Sequence, residues 1–199
     1  MIALMAGSAT GCPANHRSSA LDDPRYYDAF VAMPRIEFVR LTDVDPDQIL
    51  AMLNEPRKNK HLPLARGQEF TTESAAEWVA AKDGQWTEHG YGPWAITVDG
   101  EFAGWGGFQA EENGADFGLV LLPAYWGHGE IIAREALRRG FTDLDLDDVL
   151  IALPYSRNPD RVVDRFGFVP DGDVRYGDMT FRQYRLSRAA WSAGSHSQR

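Results

Sequence analysis

With 199 residues, 44% of them hydrophobic and 25% charged, the chain has the composition of a globular protein with one mixed domain and a full core. A net charge of −9 excludes nucleic-acid recognition through a basic face; it suits a cationic substrate such as an amine, although solubility alone accounts for it. The single cysteine, Cys12, excludes an internal disulfide, and no His, Cys or carboxylate spacing marks a metal site.

The opening MIALMAG is too short to cross a membrane and has no basic flank, and Ala9-Thr10-Gly11-Cys12 lacks the leader of a lipoprotein. A cytoplasmic location with no membrane partner is therefore expected. Residues 1–34 are small and polar, with Tyr26, Tyr27 and Phe30 as a short apolar patch. They read as an N-terminal extension, partly disordered, with Met33 as a later start. Ile36–Leu41 alternates as a first strand. Asp45-Pro46 is a helix start, Asp as N-cap and Pro at the first helical position, and Pro56 ends that helix. Arg57–Arg66 is a basic loop containing His61. A second helix should run from Thr71 or Thr72 to Lys82, burying Ala76, Trp78 and Val79, with Gly84 as terminator.

Trp94–Val98 and Glu101–Gln109 flank Asp99-Gly100, a strong hairpin signal. A polar turn, Glu111 to Gly114, leads into a fourth strand, Ala115–Leu122, stopped by Pro123. The glycine turn Trp126-Gly127-His128-Gly129 follows, then an amphipathic helix from Glu130 to near Phe141. Val149–Leu153 suits a strand buried on both faces. Pro159–Phe166 is a helix closed by Gly167. Val169–Tyr176 and Met179–Leu186 form a hairpin around Gly177-Asp178, and the Ser-, Ala- and Gly-rich tail from Ser187, residues 188–199, reads as flexible. The order β α α β β β α β α β β gives one α/β domain with a mixed sheet.

The fourth strand, glycine turn and helix carry the first functional signal. Unpaired N–H groups at a helix N-terminus, with the partial positive charge of its dipole, make a seat for phosphate. Many such units bind nothing, so the turn alone is a modest signal.

In combination, Asp116-Phe-Gly-Leu-Val with Pro123-Ala-Tyr-Trp-Gly-His-Gly129, the strand at Asp147-Asp148-Val149, Arg161-Val-Val-Asp-Arg-Phe-Gly-Phe168 and the hairpin Trp94/Asp99-Gly100 resemble the GNAT superfamily of acetyl-CoA-dependent N-acetyltransferases. The branch most similar is that of the ribosomal-protein N-terminal acetyltransferases. The resemblance covers roughly residues 36–186 and implies a single-domain α/β (α+β) fold over 35–187, a mixed, mostly antiparallel twisted sheet of about seven strands flanked by about four helices. It also implies that strands four and five splay to admit the pantetheine arm, with the pyrophosphate on the glycine turn. That assigns cofactor binding to the backbone of Leu121 and Leu122 and to Trp126, Gly127, His128, Gly129, Glu130 and Ile131. Asn158 takes the place of a family asparagine if a gap of one or two residues is allowed; without a gap the positions fall on Ser156 and Pro159. A small residue is usual where Ile131 stands, and the tyrosine of other branches falls on Val163.

Acetyl transfer from a thioester needs a neutral amine, donors for the oxyanion and a proton for the thiolate, and proximity supplies much of the rest. Asp116 is the first candidate base, directly or through water; a surface aspartate at a strand start is the alternative. Glu111 and Glu112 read as a solvated turn. Tyr155 is the best-placed phenol to protonate the thiolate, with a packed sheet-edge tyrosine as the alternative. Arg134 with Arg138, and Arg157, Arg161 and Arg165, form helix faces that either meet coenzyme phosphates or face solvent. No activated cysteine or serine is visible, which favours direct transfer to a small-molecule or peptide amine over an acyl-enzyme. A non-catalytic acyl-CoA-binding module of the same fold is the alternative, and a homodimer is compatible with the resemblance.

Overall fold

The computed structural model describes residues 34–56 and 69–196. The extension up to Met33, Cys12, and the basic loop with His61 lie outside the described residues. The strands are β1 (Ile36–Val39), β2 (Pro93–Val98), β3 (Glu101–Glu111), β4 (Gly114–Leu121), β5 (Asp148–Pro154), β6 (Val169–Tyr176) and β7 (Met179–Ser187). The helices are α1 (Pro46–Leu53), α2 (Thr72–His89), α3 (Gly129–Thr142), α4 (Asp160–Phe166) and α5 (Arg188–His196). The strands form one sheet, β1-β2-β3-β4-β5-β7-β6, antiparallel except between β4 and β5. The fold class expected from the sequence is the one observed, with a fifth helix.

Local chemistry explains most of these elements. The Asp45 side chain accepts from Asp47 N–H, with Pro46 in the first turn of α1. At α2, Thr71 accepts from Ser74 N–H while the Ser74 hydroxyl accepts from Thr71 N–H. Asp99 and Gly100 both adopt positive φ, 53° and 86°, which a two-residue hairpin with the right twist requires. The β3–β4 hairpin pairs Glu111 with Gly114, and counting back from that turn places Gln109 opposite Asp116.

Three expectations are corrected. Gly84 does not end α2, which continues to His89 and closes on Gly90 in the left-handed conformation. One interior glycine costs a helix only about 1 kcal/mol, and Trp86 holds the extra turns: it packs on Trp94 and its indole N–H donates to the Pro93 carbonyl. Within α2, Trp78 and Val79 pack inward as expected, but the alanine on that face is the buried Ala75 and Ala76 is exposed. The tail expected to be flexible forms α5 up to His196, where Trp191 stacks on Phe141 of α3.

Side chains alternate along β4 and separate two cores. Phe117, Leu119 and Leu121 join Ile132, Ala136, Leu137 and Phe141 of α3 on one face. Val120 joins Trp105 and Phe102 with Ile49, Met52 and Ala75 on the other, so α1 and α2 cover the opposite side. Phe108 stands fully buried where α3 crosses the sheet, and a Cβ on Gly140 would lie 2.4 Å from its ring. Gly140→Ala should therefore destabilise the protein by about 1–3 kcal/mol despite its better helix propensity. Urea unfolding at neutral pH measures this; a stabilised variant would show that α3 does not press on Phe108.

Candidate functional site

β4 and β5 run parallel and pair at a single position, Asp116 opposite Leu150. Beyond it the ladder is absent, and the two strands lie open towards their C-terminal ends. On the α3 side of the sheet, Phe117, Ile151, Leu153, Ala133, Leu137 and Phe166 line a small apolar void in the core.

At the C-terminal end of β4 the chain turns through a 3-10 segment, Pro123–His128, straight into α3. Gly127 and Gly129 take no positive φ, so these glycines are not needed for the turn. At Gly127 a Cβ would meet nothing within 4 Å, so the surface there is bare. Among the described residues no side chain caps α3, in contrast to α1 and α2. His128 Nδ1 is buried and has no hydrogen-bond partner among the described residues. Trp126 is half-buried and donates its indole N–H to the Leu121 carbonyl at 2.9 Å. Leu122 N–H is engaged with the Ala103 carbonyl and Leu122 O with Tyr125 N–H. Ile131 packs against the core of the α3 face.

Glu130, in the first turn of α3, pairs with Arg134 at 3.3 Å and with Arg165 of α4. Arg134 also donates to the Arg165 carbonyl and lies over the Phe166 ring. Two arginines against one glutamate leave this helix end net positive. Arg138 is turned away, to Glu135, Thr142 and Asp143. Arg157 precedes α4 and does not share its face. Its guanidinium is half-buried, which lowers its proton affinity, and its carbonyl accepts from Arg182. The Asn158 side chain accepts from Asp160 N–H and so caps the start of α4.

Asp116 is not a surface residue: it is 0% exposed, on the α2 side of the sheet. Burial pushes its carboxyl up to about 6; the negative charge of Glu111 adds to this and Lys82 opposes it. Gln109, directly across from it on β3, is 2% exposed and its Oε1 accepts from the Lys82 ammonium. Gln109 Nε2 has no partner among the described residues. Tyr176, at the end of β6, is half-buried and its phenol is raised, first by burial and then by Asp116 and Glu111. Tyr155 is elsewhere, 59% exposed after β5, its hydroxyl donating to Asp173 at 2.7 Å with Arg182 over its ring. The bond to Asp173 raises the Tyr155 phenol.

The structure thus brings Trp126, Gly127, His128, Gly129, Glu130 and Arg165 together at one end of the opening. It sets Asp116 at the apex and leaves Tyr155 apart, about 16 Å along β5 from Leu150 at strand spacing. Lys82, Gln109 and Tyr176 were missed. The turn count that pairs Glu111 with Gly114 marks Gln109 as the neighbour of Asp116; no sequence signal marks the other two. Among the described residues no three His, Cys, Asp or Glu side chains form a metal-binding group.

Comparison with known proteins places this geometry. The model of the acetyltransferase (GNAT) domain matches residues 35–169. An acetyltransferase from Agrobacterium tumefaciens str. C58 is 19% identical, with a TM-score of 0.62 over 76% of this chain and 90% of that one. An aminoglycoside acetyltransferase solved with coenzyme A is 16% identical, TM-score 0.62, over 81% and 99% of the two chains. A spermidine N-acetyltransferase from Vibrio cholerae, solved with coenzyme A and spermine, is 13% identical, TM-score 0.60, over 80% and 98%. At these identities the likeness is one of fold.

The raised Asp116 carboxyl has a stability signature. It binds a proton more tightly folded than unfolded, so its favourable contribution is complete below its ordinary 3.8 and lost as pH rises through about 6. Asp116→Asn should therefore gain on the wild type by about 2 kcal/mol between pH 4 and pH 7.5, read as the difference in unfolding free energy at the two pH values. A difference that does not change with pH would place Asp116 in a hydrated setting.

Proposed function

The chain belongs to the acetyltransferase (GNAT) domain family, and on that premise we propose that it transfers an acetyl group from acetyl-CoA directly to a primary amine. The observation that carries the reading is a fully buried carboxylate, Asp116, at the point where β4 and β5 part.

Coenzyme A fits the residues present. The uncapped α3 N-terminus, the bare surface at Gly127 and the unpartnered His128 Nδ1 are what a bound diphosphate would satisfy. The backbone from Gly127 to Ile131 would hold it, with Glu130 and Arg165 beside it and Asn158 at the neighbouring helix start. Trp126 frames the end of β4 through Leu121, and the Leu122 backbone, already engaged, fixes the strand end. When bound, acetyl-CoA supplies an acetyl group activated as a thioester.

The chain's own part is orientation and proton handling. Asp116 takes the proton that the amine nitrogen loses as the C–N bond forms, and at about 6 it can return that proton to the departing sulfur. Tyr155 is a poor acid in this arrangement, because Asp173 holds its phenol proton. The acceptor is a primary amine, either a small polyamine or amino sugar, in line with the names of two structural neighbours, or a protein N-terminus, in line with the ribosomal-protein branch.

Thiol release from acetyl-CoA over a panel of spermine, spermidine, aminoglycosides and peptide N-termini tests the reading. Turnover with one class, lost by at least about 100-fold in Asp116→Ala, is expected. Binding without turnover across the panel would instead favour a non-catalytic acyl-CoA-binding module. Gly127→Val should leave the melting temperature unchanged and raise the Kd for acetyl-CoA about tenfold or more by calorimetry. Unchanged affinity would remove the glycine turn as the phosphate seat.

A further inference from the structure

Gln109, on β3, is 2% exposed and is the cross-strand neighbour of Asp116. Side chains at such paired positions share one face of the sheet and start about 5 Å apart. The two ends of the Gln109 amide are used differently. Oε1 accepts from the ammonium of Lys82 in α2. An ammonium has only protons to offer, so the amide atom facing it is the oxygen, and Nε2 with its two protons is turned away. Nε2 is buried and has no hydrogen-bond partner among the described residues. A buried donor without an acceptor lowers stability, and native proteins keep such groups chiefly where a ligand or water completes them.

We propose that Gln109 sets the acceptor specificity: its buried amide N–H donates to an acceptor oxygen carried on the carbon next to the amine-bearing carbon. The substrate class is then an α-amino carbonyl compound or a vicinal amino alcohol, and a plain polyamine is a poor acceptor. The proposal rests on the reading of Asp116 as the base, which puts the reacting nitrogen at its carboxylate. A donor on the adjacent strand, at the paired position, then meets the substituent next to that nitrogen. A peptide N-terminus and an amino sugar both carry an oxygen there; spermidine and spermine carry none. A site with a buried donor for a substrate oxygen rejects the analogue that lacks it far more strongly than a hydrocarbon pocket rejects a missing methylene, because the donor is left desolvated and unpaired. Lys82 prepares the site: by binding Oε1 it orders the amide before the acceptor arrives.

The test measures kcat/KM of the full-length protein with alanyl-alaninamide, glucosamine and spermidine. One of the two oxygenated amines should exceed spermidine by about 100-fold or more, and which one does so identifies the source of the oxygen. Gln109→Glu keeps an acceptor for Lys82 and removes the donor, so it should reduce that preference by about tenfold or more. Gln109→Met serves if the Glu variant fails to fold by circular dichroism. A second measurement needs no turnover. In 15N-glutamine-labelled protein with coenzyme A, the Gln109 side-chain amide resonances, identified by their loss in the variant, should shift with the preferred oxygenated amine and not with spermidine. Spermidine turned over as well as both oxygenated amines, a preference kept in a folded Gln109 variant, or amide resonances that respond to none of the three overturns the proposal and leaves water as the partner of Nε2. The reading of Asp116 fails separately: wild-type turnover in Asp116→Asn removes it as the base, whatever the Gln109 amide does.

Discussion

β4 and β5 touch through one paired position, and the architecture of the site follows from that restriction. A parallel pair cannot be closed by a hairpin; it needs a crossover, and α3 is that crossover. The crossover delivers a helix N-terminus to the end of β4, beside strands that have stopped pairing. A helix N-terminus and an open strand edge therefore arise from the same topological fact. Since the last paired residue is Asp116, the carboxylate stands where the opening begins.

The two faces of β4 then separate two chemistries. The α3 face is apolar and packs Phe117, Leu119 and Leu121 into the larger core, which makes the opening rigid. The α2 face turns polar at one point, where Asp116, Gln109 and Lys82 meet. A buried carboxylate there lowers stability at neutral pH, and an apolar residue would not. Desolvation is the largest influence there and nearby charges act in both directions, which leaves the Asp116 carboxyl at about 6. That balance suits proton transfer better than packing.

Ion pairs at the glycine turn work on a smaller scale. Glu130, Arg134 and Arg165 are each partly exposed, so their pairing contributes little to stability. Its role is to set the sign of the helix end. A lone glutamate in the first turn would neutralise the dipole that draws an anion, and two arginines restore the positive field.

Much of this was written in short-range patterns. Asp45-Pro46 and the threonines Thr71 and Thr72 announce their helices, and Asp99-Gly100 its hairpin, because each depends on residues no more than a few positions apart. The glycine turn and its helix were legible for the same reason. The partners were not. Gly84 reads as a stop until Trp86 finds Trp94, and the tail reads as loose until Trp191 finds Phe141. Asp116 reads equally as a base or a surface residue until the fold buries it, and Tyr155 as an available phenol until Asp173 binds it. Sequence alone thus located the seven strands and the first four helices and singled out the glycine turn. Tertiary structure alone decided which charges are buried, because the raised proton affinity of Asp116 comes first from desolvation by elements distant in sequence that only the packed fold brings over it.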